Sequence, residues 1–427
     1  MDFFNYRDHE LYAEEISAKT LAERFGTPLY VYSKATLEKH FNAFDDALGT
    51  RRHLICYAVK ANGSLAILNL MARLGAGFDV VSEGELRRVM AAGGDPHRTV
   101  FSGVGKTEKE IAFALKTGVC CLNIESEAEL WVVSKIAADL KIKAPVALRV
   151  NPDVDPKTLP AISTGLKNNK FGIPKKKALK LYHEMALDKN LRISGIDCHI
   201  GSQMISGTPI LEAAERLLAL CSELKRDGIE IDHIDLGGGL GVTYRHENPP
   251  SPYDYFQALG RHFEGSEAAI FIEPGRAMVA NAGLLLCRVL YLKHNGVKRF
   301  CIADAGMNDL LRPALYDSWM NIVNVEQRED GELRSYDVVG PVCESDDYLG
   351  KSRKLNLQQG DILAVRGAGA YGSSMSSTYN GRPLACEVMV DGDRAVVIRK
   401  RQQYEELWAN EIIPDYPEEL EVADQPE

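Results

Sequence analysis

None of the nine cysteines forms a Cys-X-X-Cys pair, and the closest two, Cys120 and Cys121, are adjacent. An odd set of thiols with no framework spacing implies free cysteines in a reducing cytosol, and no metal centre. A membrane span is also missing. The most apolar tract, "AMVANAGLLLCRVLYL" (277–292), is interrupted by Arg288 and is too short to cross a bilayer. The opening "MDFFNYRDHELYAEE" carries Asp2, Arg7, Asp8, Glu10, Glu14 and Glu15. It therefore has neither the unbroken apolar core of a signal peptide nor the acid-poor pattern of a transit peptide, and a cytoplasmic location is expected. Basic surplus is absent as well: 50 Lys and Arg stand against 60 Asp and Glu, a net charge of −10. That excludes nonspecific binding to nucleic acid or anionic membrane. Finally, no G-x-G-x-x-G follows an early strand, which leaves a dinucleotide-binding open sheet as the weaker alternative fold.

What the chain does have is alternation. Apolar or β-branched runs recur at 54–59, 77–81, 99–103, 120–124, 145–150, 193–200, 231–236 and 268–273. Between them lie stretches with apolar residues at helical spacing, several opening on Ser or Thr followed by Glu, such as "SEGELRRVMAAG" and "TEKEIAFALKTG". Short buried strands alternating with helices predict a parallel sheet, and eight units match a closed (β/α)8 barrel. At 427 residues the chain exceeds one core of roughly 250–300 residues, so two domains are expected. The barrel is placed at 36–277. A mostly β domain, a sandwich or Greek-key barrel, follows at 278–410 with residues 1–35 contributing, and 411–427 is an acidic, frayed tail. The strand-like "PLYVYS" (28–33) suits either domain. "VDGDR" carries an Asp-Gly hairpin signal. One connection, 151–174, has Pro, Gly, Asn and Lys without periodicity and reads as a mobile flap.

In such barrels the chemistry sits where strands end. Those ends carry Lys60, Asp79, Ser102, Glu125, Arg149 with Asn151, His199, Gly237–Gly238–Gly239, and Glu273 with Arg276. Each has an ordinary structural explanation alone; the full set on one rim does not. A lysine at the mouth of a buried strand, "LICYAVKANGS", is expected to lose its proton readily through desolvation and act as a nucleophile toward an aldehyde. Three consecutive glycines in "DLGGGLG" let backbone N–H groups approach an anion. A rim carboxylate in "IEPGR" suits a pyridine nitrogen. Lysine, anion cradle and acid together fit pyridoxal 5'-phosphate.

The stretches "YAVKAN", "GFDVVSEGEL", "STGLKNNKFGI", "CHIGSQ", "DLGGGLG", "EPGR", "LLRPALYDSW", "GPVCESDD" and "GAYGSSMSSTYNGRP" occur in order from about residue 10 to 405. On these motifs the chain resembles the diaminopimelate decarboxylases, within the alanine-racemase-like, fold-type III class of pyridoxal-phosphate enzymes. The resemblance implies that Lys60 carries the cofactor. His199 stacks on its ring, and Ser202 with Gly237, Gly238 and Gly239 binds its phosphate. Glu273 pairs with the pyridine nitrogen, Asp79 lies near the lysine, and Gly275 and Tyr371 line the cofactor site. Arg276, Arg312 and Tyr316 grip the substrate's distal carboxylate, Glu344 reads its distal ammonium, and Cys343 returns a proton to Cα. Cys343 and Glu344 come from the partner subunit, so a homodimer is implied. The activity implied is decarboxylation of meso-2,6-diaminopimelate to L-lysine, a small-molecule reaction. Alternatives are a decarboxylase for ornithine or arginine, an amino-acid racemase of the same fold, and a noncatalytic binding homologue. Two departures from the family pattern stand out: Leu159-Pro160-Ala161 where His-Pro-Tyr is frequent, and Trp319-Met320 where many members carry a histidine.

Overall fold

The computed structural model describes residues 2–156, 158 and 169–415. Eight parallel strands form its larger unit: His53–Ala58, Gly77–Val80, Thr99–Phe101, Cys121–Ile124, Ala144–Asn151, Leu191–Asp197, His233–Asp235 and Ala269–Ile272. Each pairs with its successor, and Ile270 on the eighth lies opposite His53 on the first. The sheet is therefore closed, and the open-sheet alternative is set aside. Burial on both faces explains why these segments read as continuous apolar runs.

The helices between strands start where short hydroxyl side chains replace the missing backbone acceptors. Ser82 accepts from the Glu85 N–H, Ser126 from the Glu129 N–H, and Thr107 forms a full reciprocal box with Glu110. Caps of this kind are each worth about 1 kcal/mol. Inside the barrel, Leu54, Cys56, Val100, Cys121, Ala147, Ala269 and Phe271 pack as one cluster below the rim. Cysteine serves there as a small apolar residue. All nine cysteines are free, and only Cys343 is exposed.

The second unit is mostly sheet. Its spine is a long strand, Gly283–Asn295, containing most of the tract whose apolar length invites comparison with a membrane span. Its first half pairs with Leu29–Ser33 and Ile362–Arg366, and its second half with Lys298–Ala303. Leu29–Ser33, ambiguous in sequence, is thus a sheet strand here, also running parallel to Cys386–Val390. The expected hairpin joins Cys386–Asp391 to Arg394–Arg399, with Gly392 at φ +61° opening the loop. Among the described residues no helix is long and apolar enough to cross a membrane. The middle of the proposed flap, residues 157 and 159–168 with Leu159-Pro160-Ala161, lies outside the described residues, as does 416–427 of the tail.

Three hydrogen bonds fasten the sheet unit to the barrel beside Lys60. The Tyr371 N–H donates to Ala61 O (2.8 Å), Asn62 Nδ2 to Gly369 O (3.0 Å) and Ser374 Oγ to Ala61 O (3.2 Å). Tyr371 adopts φ +55°, a left-handed conformation a tyrosine takes only when its surroundings impose it.

Candidate active site

Lys60 sits in the turn Val59–Ala61, directly after the first barrel strand. Its ammonium donates to Asp79 Oδ2 at 2.6 Å, and its side chain keeps 36% exposure toward the cleft while Asp79 has none. The register pairs Ala58 with Asp79, which puts the two side chains at neighbouring strand ends. Burial lowers the lysine's proton affinity, but Asp79, Glu273 and Tyr371 outweigh it and raise the pKa above the ordinary value. The expectation that desolvation alone frees the amine is therefore corrected: a carboxylate partner holds it charged.

The turn after the seventh strand packs with no room for side chains. A Cβ on Gly237 would lie 2.6 Å from His199 Nδ1, one on Gly238 2.2 Å from Glu273 O, and one on Gly239 2.3 Å from Met204 Cε. The Gly237 N–H is spent on Asp235 Oδ1 (2.9 Å) and the Gly238 N–H on His199 Nδ1 (3.1 Å). Those two amides shape the turn, and Gly239, Gly275 and Arg276 line the cleft beside it. By accepting from Gly238, His199 is held neutral at Nδ1; burial, Arg149 and Lys60 push its pKa well below the ordinary value. Lys60, His199, Ser202, Gly237–Gly239, Glu273, Gly275, Arg276 and Tyr371 surround one cleft of about 590 Å³. A reactive amine, a side-chain-free turn and a buried acid around a single cavity suit pyridoxal phosphate.

Glu273 is buried beside two acids that strand-end reading overlooked. One oxygen each from Glu273, Asp197 and Asp235 lies within 4.8 Å of the others. Burial, then Asp79, Asp235 and Asp197, raise the Glu273 pKa well above the carboxylate range. Asp197 Oδ1, Asp235 Oδ2 and Asp79 Oδ1 have no hydrogen-bond partner. Nearby, Arg149 pairs with Glu125 at 2.6 Å. Asn123, Asp197 and Asp235 stand two residues before Glu125, His199 and Gly237. The period of two along a strand places them on the same inner face, a signal available in sequence.

This crowding has a measurable consequence. Burial raises Asp235 to about 7, with Asp79 adding to the rise while the Gly237 amide, Lys60 and Arg149 oppose it. The folded state then keeps a proton that the unfolded chain releases near pH 4, so stability falls as pH climbs toward 7. Asp235→Asn retains the acceptor for Gly237 and removes the charge. Its stability relative to the parent should improve by about 2 kcal/mol between pH 5 and pH 8 in urea unfolding. An offset that does not change with pH would contradict this account.

A second, wider cleft of about 1450 Å³ continues from the first, sharing Lys60, His199, Ser202, Arg276 and Tyr371 and adding Tyr244, Arg312, Tyr316 and Trp319. Arg276 and Arg312 are both 7% exposed. Arg276 donates to Ser202 Oγ (3.1 and 3.2 Å) and to the Tyr244 hydroxyl (2.9 Å), with its guanidinium 4.9 Å from the Tyr371 ring. Arg312 donates to Met320 Sδ at 3.6 Å. Neither has an ion-pair carboxylate among the described residues. Cys343 and Glu344 line neither cleft. They are exposed, with the Cys343 N–H on Asn380 Oδ1 (2.7 Å) and the Glu344 carboxylate accepting from Tyr379. Tyr244 and Trp319 are further lining residues not singled out by the strand-end pattern.

Comparison with known proteins agrees with this geometry. Residues 34–280 match the pyridoxal-dependent decarboxylase family, pyridoxal binding domain. Diaminopimelate decarboxylase of Vibrio cholerae is 54% identical over 418 residues, 97% of this chain and 100% of that one. The Pseudomonas aeruginosa enzyme of the same name is 55% identical over 413 residues, covering 97% and 99%. The crystal structure of diaminopimelate decarboxylase from Helicobacter pylori complexed with L-lysine superposes with a TM-score of 0.89 at 44% identity, covering 92% of this chain and 98% of that one. With matches that run through both the barrel and the sheet unit, this chain belongs to the pyridoxal-dependent decarboxylases and, within them, to the diaminopimelate decarboxylase family.

Proposed function

We propose that this protein removes CO2 from meso-2,6-diaminopimelate to give L-lysine, with pyridoxal 5'-phosphate as cofactor. The observation that carries the choice of substrate is the pair Arg276 and Arg312: two buried guanidiniums beside Lys60 without a carboxylate of their own among the described residues. A buried cation lacking its counter-charge is costly, and a substrate that brings a second carboxylate supplies one. Ornithine and lysine have no such group.

When bound, pyridoxal phosphate supplies an electron sink for the carbon that loses CO2. Lys60 holds it through the amine, and Asp79 governs the proton at Nζ. His199 offers a neutral ring face. Glu273 holds a proton at the pyridine nitrogen, a role favoured by the acids behind it. Gly239, Gly275 and Ser202, which line the cleft, would hold the phosphate, while Gly237 and Gly238 keep the turn in shape. Arg276, Arg312 and Tyr316 orient the distal carboxylate. Cys343 and Glu344, exposed and outside both clefts of their own chain, enter the site of a second copy, where the thiol delivers a proton to Cα and Glu344 takes the distal ammonium. A homodimer in the cytoplasm follows from this reading.

Incubation with cofactor and meso-diaminopimelate should release CO2 and lysine, with far slower release from ornithine or arginine. Faster turnover of either, or racemisation without CO2, would overturn the proposal. Arg312→Met removes a charge-assisted contact worth about 1.5–3 kcal/mol and should raise KM for diaminopimelate by roughly 10- to 100-fold. An unchanged KM would take Arg312 out of the substrate site.

A further inference from the structure

Tyr244 lies between the two arginines. Its hydroxyl accepts from Arg276 Nη1 at 2.9 Å, and the Arg312 guanidinium stands 4.7 Å from its ring centroid. The Arg276 guanidinium is 5.9 Å from the same centroid. The residue is held from both sides. Its own N–H, with those of Arg245 and His246, donates to Glu247 Oε2 at 2.7–3.1 Å. Gly367 of the sheet unit, at φ +71°, packs so closely that a Cβ there would lie 3.1 Å from Tyr244 Cε1.

We propose that Tyr244 is the positioning and specificity-determining residue that spaces Arg276 and Arg312 into a two-guanidinium clamp for the substrate's distal carboxylate. This rests on the assignment of the two arginines given above. Two like charges in a buried site repel. An acid between them would hold them in place but cancel the attraction that the substrate's carboxylate needs. A phenol gives one cation a hydrogen-bond acceptor and the other a π face, holding both without neutralising either. The thioether of Met320 gives Arg312 a further neutral, polarisable acceptor. Burial, and to a lesser extent the neighbouring Arg276, lower the Arg312 pKa, while Tyr244 and Tyr371 oppose the fall.

The test compares Tyr244→Phe, Tyr244→Leu and Arg312→Met as cofactor-loaded enzymes. It measures KM and kcat for meso-diaminopimelate, and calorimetric binding of pimelate, which has carboxylates, and cadaverine, which has none. Tyr244→Leu should weaken pimelate about 10-fold and raise KM by a larger factor than it lowers kcat, while cadaverine binding shifts less than about twofold. Tyr244→Phe, which keeps the ring beneath Arg312, should show about 2- to 3-fold effects in the same direction, and remains informative if the leucine variant fails to fold. Equal weakening of pimelate and cadaverine, or no weakening of pimelate, overturns the role of Tyr244. If Arg312→Met weakens pimelate and Tyr244→Leu does not, only the Tyr244 assignment falls. If Arg312→Met leaves both KM and pimelate unaffected, or the parent enzyme does not bind pimelate, the clamp itself falls.

Discussion

Lys60→Ala is expected to eliminate turnover and covalent retention of the cofactor together. Borohydride reduction of the parent enzyme followed by peptide mapping should place the cofactor on Lys60, and the variant should carry no label. Detectable decarboxylation in the variant, or a label on another lysine, would remove Lys60 from the centre of the site. The substitution has a second effect that is independent of chemistry. Asp79 is wholly buried, Oδ1 has no hydrogen-bond partner, and Oδ2 accepts from Lys60 at 2.6 Å. Without the amine, a carboxylate is left in the barrel among Glu273, Asp197 and Asp235. Breaking such a pair costs about 1–3 kcal/mol once solvent access at the amine is allowed for. The double variant Lys60→Ala/Asp79→Asn should therefore recover thermal stability but no activity. Recovery of both, or of neither, would show that the two side chains are not coupled as described.

The fold was legible because its signals are local. Each barrel strand is buried on both faces and reads as an apolar run, and Ser82, Thr107 and Ser126 mark helix starts within three residues of their partners. Strand pairing is not local. Leu29–Ser33 finds its neighbours at Gly283–Leu286 and Cys386–Val390, and nothing within "PLYVYS" indicates which sheet it joins. At the site, residues at strand ends were visible as polar interruptions, and the structure brings Lys60, His199, Glu273 and Arg276 around one cleft. The acids one layer deeper were legible only in part: their spacing puts Asp197 and Asp235 on the inner face, but they become neighbours of Glu273 only through barrel closure. Ionisation was the least legible property. Sequence showed a lysine about to be desolvated, but the sign of its pKa shift depends on Asp79, one strand away.

Gly238→Ala is expected to cost at least about 100-fold in cofactor affinity, roughly 2.7 kcal/mol. The added carbon would stand 2.2 Å from Glu273 O and 3.1 Å from Glu273 C, both backbone atoms that no side-chain rotation can move aside. Relief requires the glycine turn to separate from the end of the eighth strand. That would break the 2.8 Å bond from Glu273 N–H to Gly237 O and pull the Gly238 amide from His199. One methyl group would thus displace the anion cradle, the ring-facing histidine and the acid for the pyridine nitrogen in a single movement. Gly260, inside the helix Pro252–His262 with open space around it, is the control. Alanine there should leave cofactor binding unchanged and add up to about 1 kcal/mol of stability, since alanine is the better helix former. Absorbance titration with pyridoxal phosphate reads both variants. If Gly238→Ala bound the cofactor as tightly as Gly260→Ala, the close approach of turn and strand would not be what shapes the cofactor site.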